Sequence, residues 1–251
     1  MANFKVERGT VTTVTIDRKQ VANSLNQESW REFYEVLISL SLDRAVKVII
    51  LTGDGEKAFC AGSDIAEMVG LPGWESVCFD EICHRVHLEI LRMPKPVIAA
   101  LNGTALGGGC TIAVACDFRI ACDTIKMGLP EVNLGIIPGA GGVDIVVKLI
   151  GLSAVREMLF TGSIIDAKRA LELGLVDRVV PREQFQATVD ELAQKLADKS
   201  TASLALAKMA IGRASGLISE SSIPYDTLGF SLCSTTDEKK VLMDKFLSKK
   251  K

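Results

Sequence analysis

The strongest constraint on how this chain folds is an alternation along it. Short apolar runs of strand length take turns with amphipathic stretches of helical period, and glycine- or proline-rich turns separate them. Residues 10–17 (TVTTVTID) are β-branched and alternate, which predicts a strand. Residues 46–51 predict a buried strand closed by Gly53-Asp54-Gly55, and residues 97–101 and 118–121 predict two more. Trp30, Phe33, Tyr34, Leu37 and Ile38 share one helical face behind Asn26, a residue suited to an N-cap. Phe79, Ile82, Cys83, Val86, Ile90 and Leu91 mark a second helix, stopped by Pro94 and Pro96. Residues 110–115 and 143–150 predict further helices, each after a glycine-rich turn. Strand, turn and helix recurring in this way predict an α/β fold with parallel strands and helical crossovers. From about Arg182 the strand signals stop, and Phe185, Val189, Leu192 and Leu196 are helically spaced. The expected organisation is a core over 1–195 and a helical region over 196–251.

The 251 residues are 48% hydrophobic, enough to bury a core of this size. A net charge of −2 supplies no basic field for nucleic acid or an anionic membrane. The longest apolar runs fall far short of the roughly 18 residues that a membrane span needs, and residues 1–18 alternate instead of forming a signal-peptide core. A soluble, cytoplasmic protein is expected, without nucleic-acid or membrane partners. The seven cysteines are odd in number, irregularly spaced and without a CxxC pair. Reduced core thiols are therefore expected, and no metal site. Dinucleotide-binding GxGxxG, P-loop and GxSxG motifs are absent. The two histidines, His84 and His87, lie beside the apolar face of the second helix and are expected on its solvated flank. Lys245, Lys249, Lys250 and Lys251 are expected to form a solvated tail. With so little histidine, catalysis has to come from carboxylates and backbone.

Three segments carry the remaining signal: AFCAGSDI at 58–65, NGTALGGGC at 102–110 and GLPEVNLGIIPGAGG at 128–142. Each alone predicts tight turns or close packing, and Glu131 alone a solvated loop carboxylate. In this order they do more, together with Asn23-Ser24-Leu25-Asn26, PKPVIAALNGTALGGGC at 94–110 and ACDFRIA at 115–121. The set resembles the crotonase family, also called the enoyl-CoA hydratase/isomerase superfamily, over nearly the whole chain. The resemblance implies a ββα spiral core with a C-terminal helical trimerisation region. It implies a homotrimer or a dimer of trimers acting on an acyl-CoA, with no cofactor beyond the coenzyme A of that substrate. It also implies an oxyanion hole in which the N–H groups of Ala61 and Gly108 hold the thioester oxygen as an enolate forms. One such donor is worth about 3 to 4 kcal/mol at a transition state. Val21, Ala22, Ser24, Gly62, Ser63, Asp64 and Ile65, with Ala61 and Gly108, are implied along the CoA thioester.

One position departs from the family's usual hydratases, which carry two glutamates. The second is present as Glu131, but the first position is Thr111. Adding water to a C=C bond needs a base for the water and a proton source for Cα, and a threonine hydroxyl is poor at both. Shifting a double bond needs one carboxylate, starting near a pKa of ~4.3. The expectation is therefore an enoyl-CoA isomerase with Glu131 as its single base and Thr111 opposite. The alternative is a hydratase of enoyl-CoAs, cyclic or conjugated dienoyl-CoAs among them, with its second carboxylate from a residue such as Glu67, Glu75, Asp80 or Glu81. Gly139 and Ala140 offer none where some relatives place an aspartate. A non-catalytic acyl-CoA binder has no need of Glu131, and the charge argues against RNA. The stretch KKVLMDKF at 239–246 departs from the family's usual terminal helix.

Overall fold

The computed structural model describes residues 3–71, 73–216 and 225–249; Met1, Ala2, Lys250 and Lys251 lie outside them. Strands β1 (Phe4–Glu7) and β2 (Val11–Ile16) pair antiparallel and precede helix α1 (Gln27–Leu42). A unit of two strands and a helix then repeats. β3 (Val48–Gly53) and β4 (Ala58–Cys60) lead to α2 (Ile65–Val69) and α3 (Gly73–Arg92). β5 (Val97–Leu101) and β6 (Thr104–Leu106) lead to α4 (Gly108–Ala115). β7 (Phe118–Cys122) and β8 (Lys126–Gly128) lead to a 3-10 turn at Pro130–Leu134 and α5 (Gly142–Thr161). The chain continues through β9 (Ile164–Asp166), α6 (Ala167–Glu172), β10 (Arg178–Val180) and α7 (Arg182–Ala197). It ends in α8 (Thr201–Ser215), α9 (Tyr225–Ser234) and α10 (Asp237–Ser248).

In each repeat the first strand joins one sheet and the second strand joins another. The larger sheet has the order β1-β2-β3-β5-β7-β10, parallel from β2 onward. The smaller has the order β4-β6-β8-β9, with only β9 antiparallel. This is the expected ββα spiral.

Local chemistry explains the elements. The Asn26 side chain accepts from the Ser29 N–H at 2.9 Å and so caps α1. Trp30, Phe33, Leu37 and Leu40 on its inner face are fully buried, each worth about 1.5 to 3 kcal/mol. Val48 to Leu51 of β3 are buried on both faces, and so read as a continuous apolar run instead of alternating. Two asparagines tie neighbouring strand ends together. Asn23 donates to the carbonyls of Ala58 (2.7 Å) and Asp54 (3.1 Å). Asn102 donates to the Gly53 carbonyl at 2.7 Å and accepts from its N–H at 3.2 Å. The helix expected over 143–150 is the first part of α5, which loses helical dihedrals at Gly151 (φ 79°). Residue 195, the expected boundary, lies inside α7, whose Phe185, Val189 and Leu192 are buried in the core. All seven cysteines are free, five of them buried. Among the described residues no helix is long and apolar enough to cross a membrane.

Candidate active site

The three glycine-rich segments follow the ends of three neighbouring parallel strands, β4, β6 and β8. Their turns therefore stand side by side at the carboxyl end of the small sheet, where parallel strands leave room for a ligand. The first two turns touch backbone to backbone. Gly62 sits at φ +92°, and a Cβ there would lie 2.8 Å from the Leu106 carbonyl oxygen. A Cβ on Gly109 would lie 2.0 Å from the carbonyl oxygen of Cys60, so only glycine fits at either position.

A cavity of about 600 Å³ opens at these turns. Of the expected residues, Glu131, Thr111, Gly108, Ala61, Gly62, Ser63, Ile65, Val21 and Ser24 line it. Ala22 and Asp64 do not. The Ala22 carbonyl accepts from the Ala61 N–H at 3.1 Å, and the Asp64 side chain caps α2 by accepting from Ala66 at 3.0 Å. The first of these bonds corrects the expected oxyanion hole, because the Ala61 N–H is already committed. Two residues on, Ser63 pairs with Leu25 as a parallel bridge, in which the flanking Gly62 and Asp64 make the bonds. The Ser63 N–H therefore points away from Leu25. Gly108 is the first residue of α4, so its N–H has no acceptor within the helix. Neither N–H has an acceptor among the described residues, and the Ser63 nitrogen lies 3.6 Å from where a Cβ on Gly108 would be. Trp30 braces the pair: its Nε1 donates to Ser63 Oγ at 3.3 Å, and its ring lies 3.2 Å from that same Cβ position.

Glu131 stands over the second turn, with Oε1 3.0 Å from the Cβ position of Gly107. Its Oε2 is buried without a hydrogen-bond partner among the described residues. Burial disfavours the charged form and raises its pKa from 4.5 to about 7, well above the value expected from sequence. Thr111 does not meet it as a free hydroxyl. Its Oγ1 lies 3.0 Å from the Gly108 carbonyl oxygen and 2.9 Å from His87 Nε2. A carbonyl only accepts, so the hydroxyl donates to it and accepts from Nε2, which assigns the imidazole proton to that nitrogen.

His87 is thus not on a solvated flank. It is 1% exposed and lines the cavity, and burial lowers its pKa to about 3, so it is neutral. The helix α3 is buried along a wider stripe than its apolar residues alone suggest, and Asp80 and His87 fall within it. Asp80 is 4% exposed and also lines the cavity. Its Oδ2 accepts from the Ala140 N–H at 3.0 Å, while His84 Nδ1 lies 3.1 Å from the Ala140 carbonyl oxygen. Ala140 is held at φ +58°, a conformation that costs a residue with a Cβ about 1 to 2 kcal/mol. Glu67 accepts from the Gln27 N–H at 2.7 Å, and Glu81 pairs with Arg85 at 3.0 Å. Glu67, Glu75 and Glu81 do not line the cavity. Lys245 and Lys249 line it from α10 and its end, so these two are not a free tail. The described residues offer no cluster of three or more His, Cys, Asp or Glu suited to a metal.

A family model described as enoyl-CoA hydratase/isomerase matches residues 7–251. The short-chain-enoyl-CoA hydratase of Clostridium acetobutylicum is 38% identical over 245 residues, covering 98% of this chain and 94% of that protein. The crotonyl-CoA hydratase of Syntrophomonas wolfei is 38% identical over 236 residues, covering 94% and 91%. The crystal structure of an enoyl-CoA hydratase from Bacillus anthracis matches with a TM-score of 0.82 at 34% identity, covering 98% and 96%.

Proposed function

Because this chain belongs to the enoyl-CoA hydratase/isomerase family, we propose that it adds water across the double bond of a short-chain 2-enoyl-CoA. This reverses the order of the sequence expectation, in which isomerisation stood first. Two relatives covered almost end to end are named as hydratases of this kind. The observation that carries the reading is Glu131. A carboxyl held near 7 is about half protonated at neutral pH, so it supplies the proton that Cα needs, which an ordinary ionised glutamate does not.

In this reading the thioester oxygen accepts from the N–H groups of Ser63 and Gly108, in place of the pair expected at Ala61 and Gly108. The N-terminal end of α4 adds its partial positive charge. Water bonds to C3 as its proton leaves to a base, and the C=C electron pair moves toward the thioester oxygen. Glu131 then gives its proton to C2, and the carbonyl re-forms. No metal or cofactor takes part beyond the coenzyme A of the substrate. Val21, Ser24, Gly62 and Ile65, with Lys245 and Lys249, face that substrate in the cavity. We also propose that the chain works as a homotrimer or a dimer of trimers.

Purified protein given crotonyl-CoA should form the 3-hydroxyacyl-CoA, read as loss of enoyl-thioester absorbance. Glu131→Gln should lower kcat by about 10²- to 10⁴-fold with acyl-CoA affinity retained. Conversion of a 3-enoyl-CoA without hydration of crotonyl-CoA would restore the isomerase reading. Tight binding with turnover of neither would make the chain an acyl-CoA binder.

A further inference from the structure

We infer that Asp80 is the second acid–base group of this active site, reaching the cavity from α3 to act where position 111 has no carboxylate. The inference rests on the hydratase reading, since a double-bond shift needs one carboxylate only. Glu67, Glu75, Asp80 and Glu81 are the four candidates for a second carboxylate, and the structure separates them. Glu67 is engaged with the start of α1, Glu75 is exposed, and Glu81 is half-buried and paired with Arg85. Asp80 alone of the four lines the cavity that Glu131 and Thr111 also line.

The third glycine segment is shaped around this carboxylate. A Cβ on Gly139 would lie 2.0 Å from Asp80 Oδ1, so the space in which a side chain at 139 would begin is filled by a carboxylate from another element. Ala140 is gripped beside it through both of its backbone polar groups, one by Asp80 and one by His84, a turn further along α3. Asp80 therefore has a fixed place, with one oxygen held by a backbone donor. The role that follows is to take the proton from water as the water oxygen bonds to C3. Glu131 gives its proton to C2 in the same turnover. The cycle leaves Asp80 protonated and Glu131 ionised, and one proton passing between them through solvent restores both. Nothing is oxidised or reduced, and the product is substrate plus one water.

A purely structural Asp80 would hold the turn and nothing more. Asp80→Asn tests the difference, because its amide oxygen still accepts from the Ala140 N–H. Two rates should be compared in wild type and variant: hydration of crotonyl-CoA, and exchange of the C2 hydrogens of butyryl-CoA with deuterated solvent. Exchange needs Glu131 and the two N–H donors but no activated water. Asp80→Asn should lower the kcat of hydration by about 100-fold or more, while KM and the exchange rate stay within about threefold. Hydration within about threefold of wild type, or hydration and exchange falling together, would overturn the role of Asp80. Wild-type protein that exchanges C2 hydrogens but adds no water would instead overturn the hydratase reading.

Discussion

Burial of the Glu131 carboxyl, which raises it from 4.5 to about 7, has a consequence for stability as well as for chemistry. A carboxyl with a raised folded-state pKa binds its proton more tightly folded than unfolded. Its stabilising contribution is complete below about 4.5 and is lost as pH rises through about 7. Above that, the folded state holds a buried charge at a cost of about 3 kcal/mol. Glu131→Gln carries no charge at any pH. It should therefore be more stable than wild type in alkaline solution, by up to about 3 kcal/mol, with the gain vanishing in acid. Urea midpoints at the two pH extremes read this directly, and a difference that does not change with pH would count against it. Glutamate at 131 was legible as the candidate acid–base residue, but its environment was not, because desolvation depends on side chains brought from other elements. The Ala61 donor failed for a related reason. Backbone direction alternates along an extended segment, and the sequence does not say which N–H the Ala22 carbonyl claims.

Among the elements, α1 was read nearly as it stands, because its cap and its apolar period agree. Asn26→Ala removes the side-chain acceptor for the Ser29 N–H and should lower stability by about 1 kcal/mol in urea unfolding. A change under about 0.3 kcal/mol would mean that water replaces the cap. The strand β3 was equally plain. The strands β6 and β8 were not, since each has three residues, β6 set inside a segment read as a glycine turn and β8 running up to the first residue of another. Sheet pairing to neighbours distant in sequence makes them strands. The helix α3 was legible as a helix but not in how much of its circumference is buried. It packs against α1, α4 and α9, and its buried stripe includes Asp80 and His87, so His87, read as part of a solvated flank, belongs to the cavity beside Asp80.

At the scale of the molecule, the helical end of the chain leaves apolar surface in water. Leu206, Met209 and Ile211 of α8 are 65%, 57% and 68% exposed, and α8 buries none of its residues fully in the single chain. Leu206 and Met209, three residues apart, share one face of the helix, and exposed apolar side chains set together in this way fit association. Light scattering should give three or six times the chain mass of 27.0 kDa, and charge introduced at Leu206 and Met209 should shift the mass toward that of one chain. A monomer at micromolar concentration would contradict the proposed assembly. The spiral itself sets a further condition. Each of its three successive strand–strand–helix units contributes one turn to the cavity, and the turns meet only because β4, β6 and β8 pair. A thioester bound there is therefore a clasp across three repeats. It draws its contacts from stretches more than sixty residues apart, and its binding energy reports on closure of the whole winding. A fragment that stops after the second unit keeps both N–H donors and has nothing to answer them.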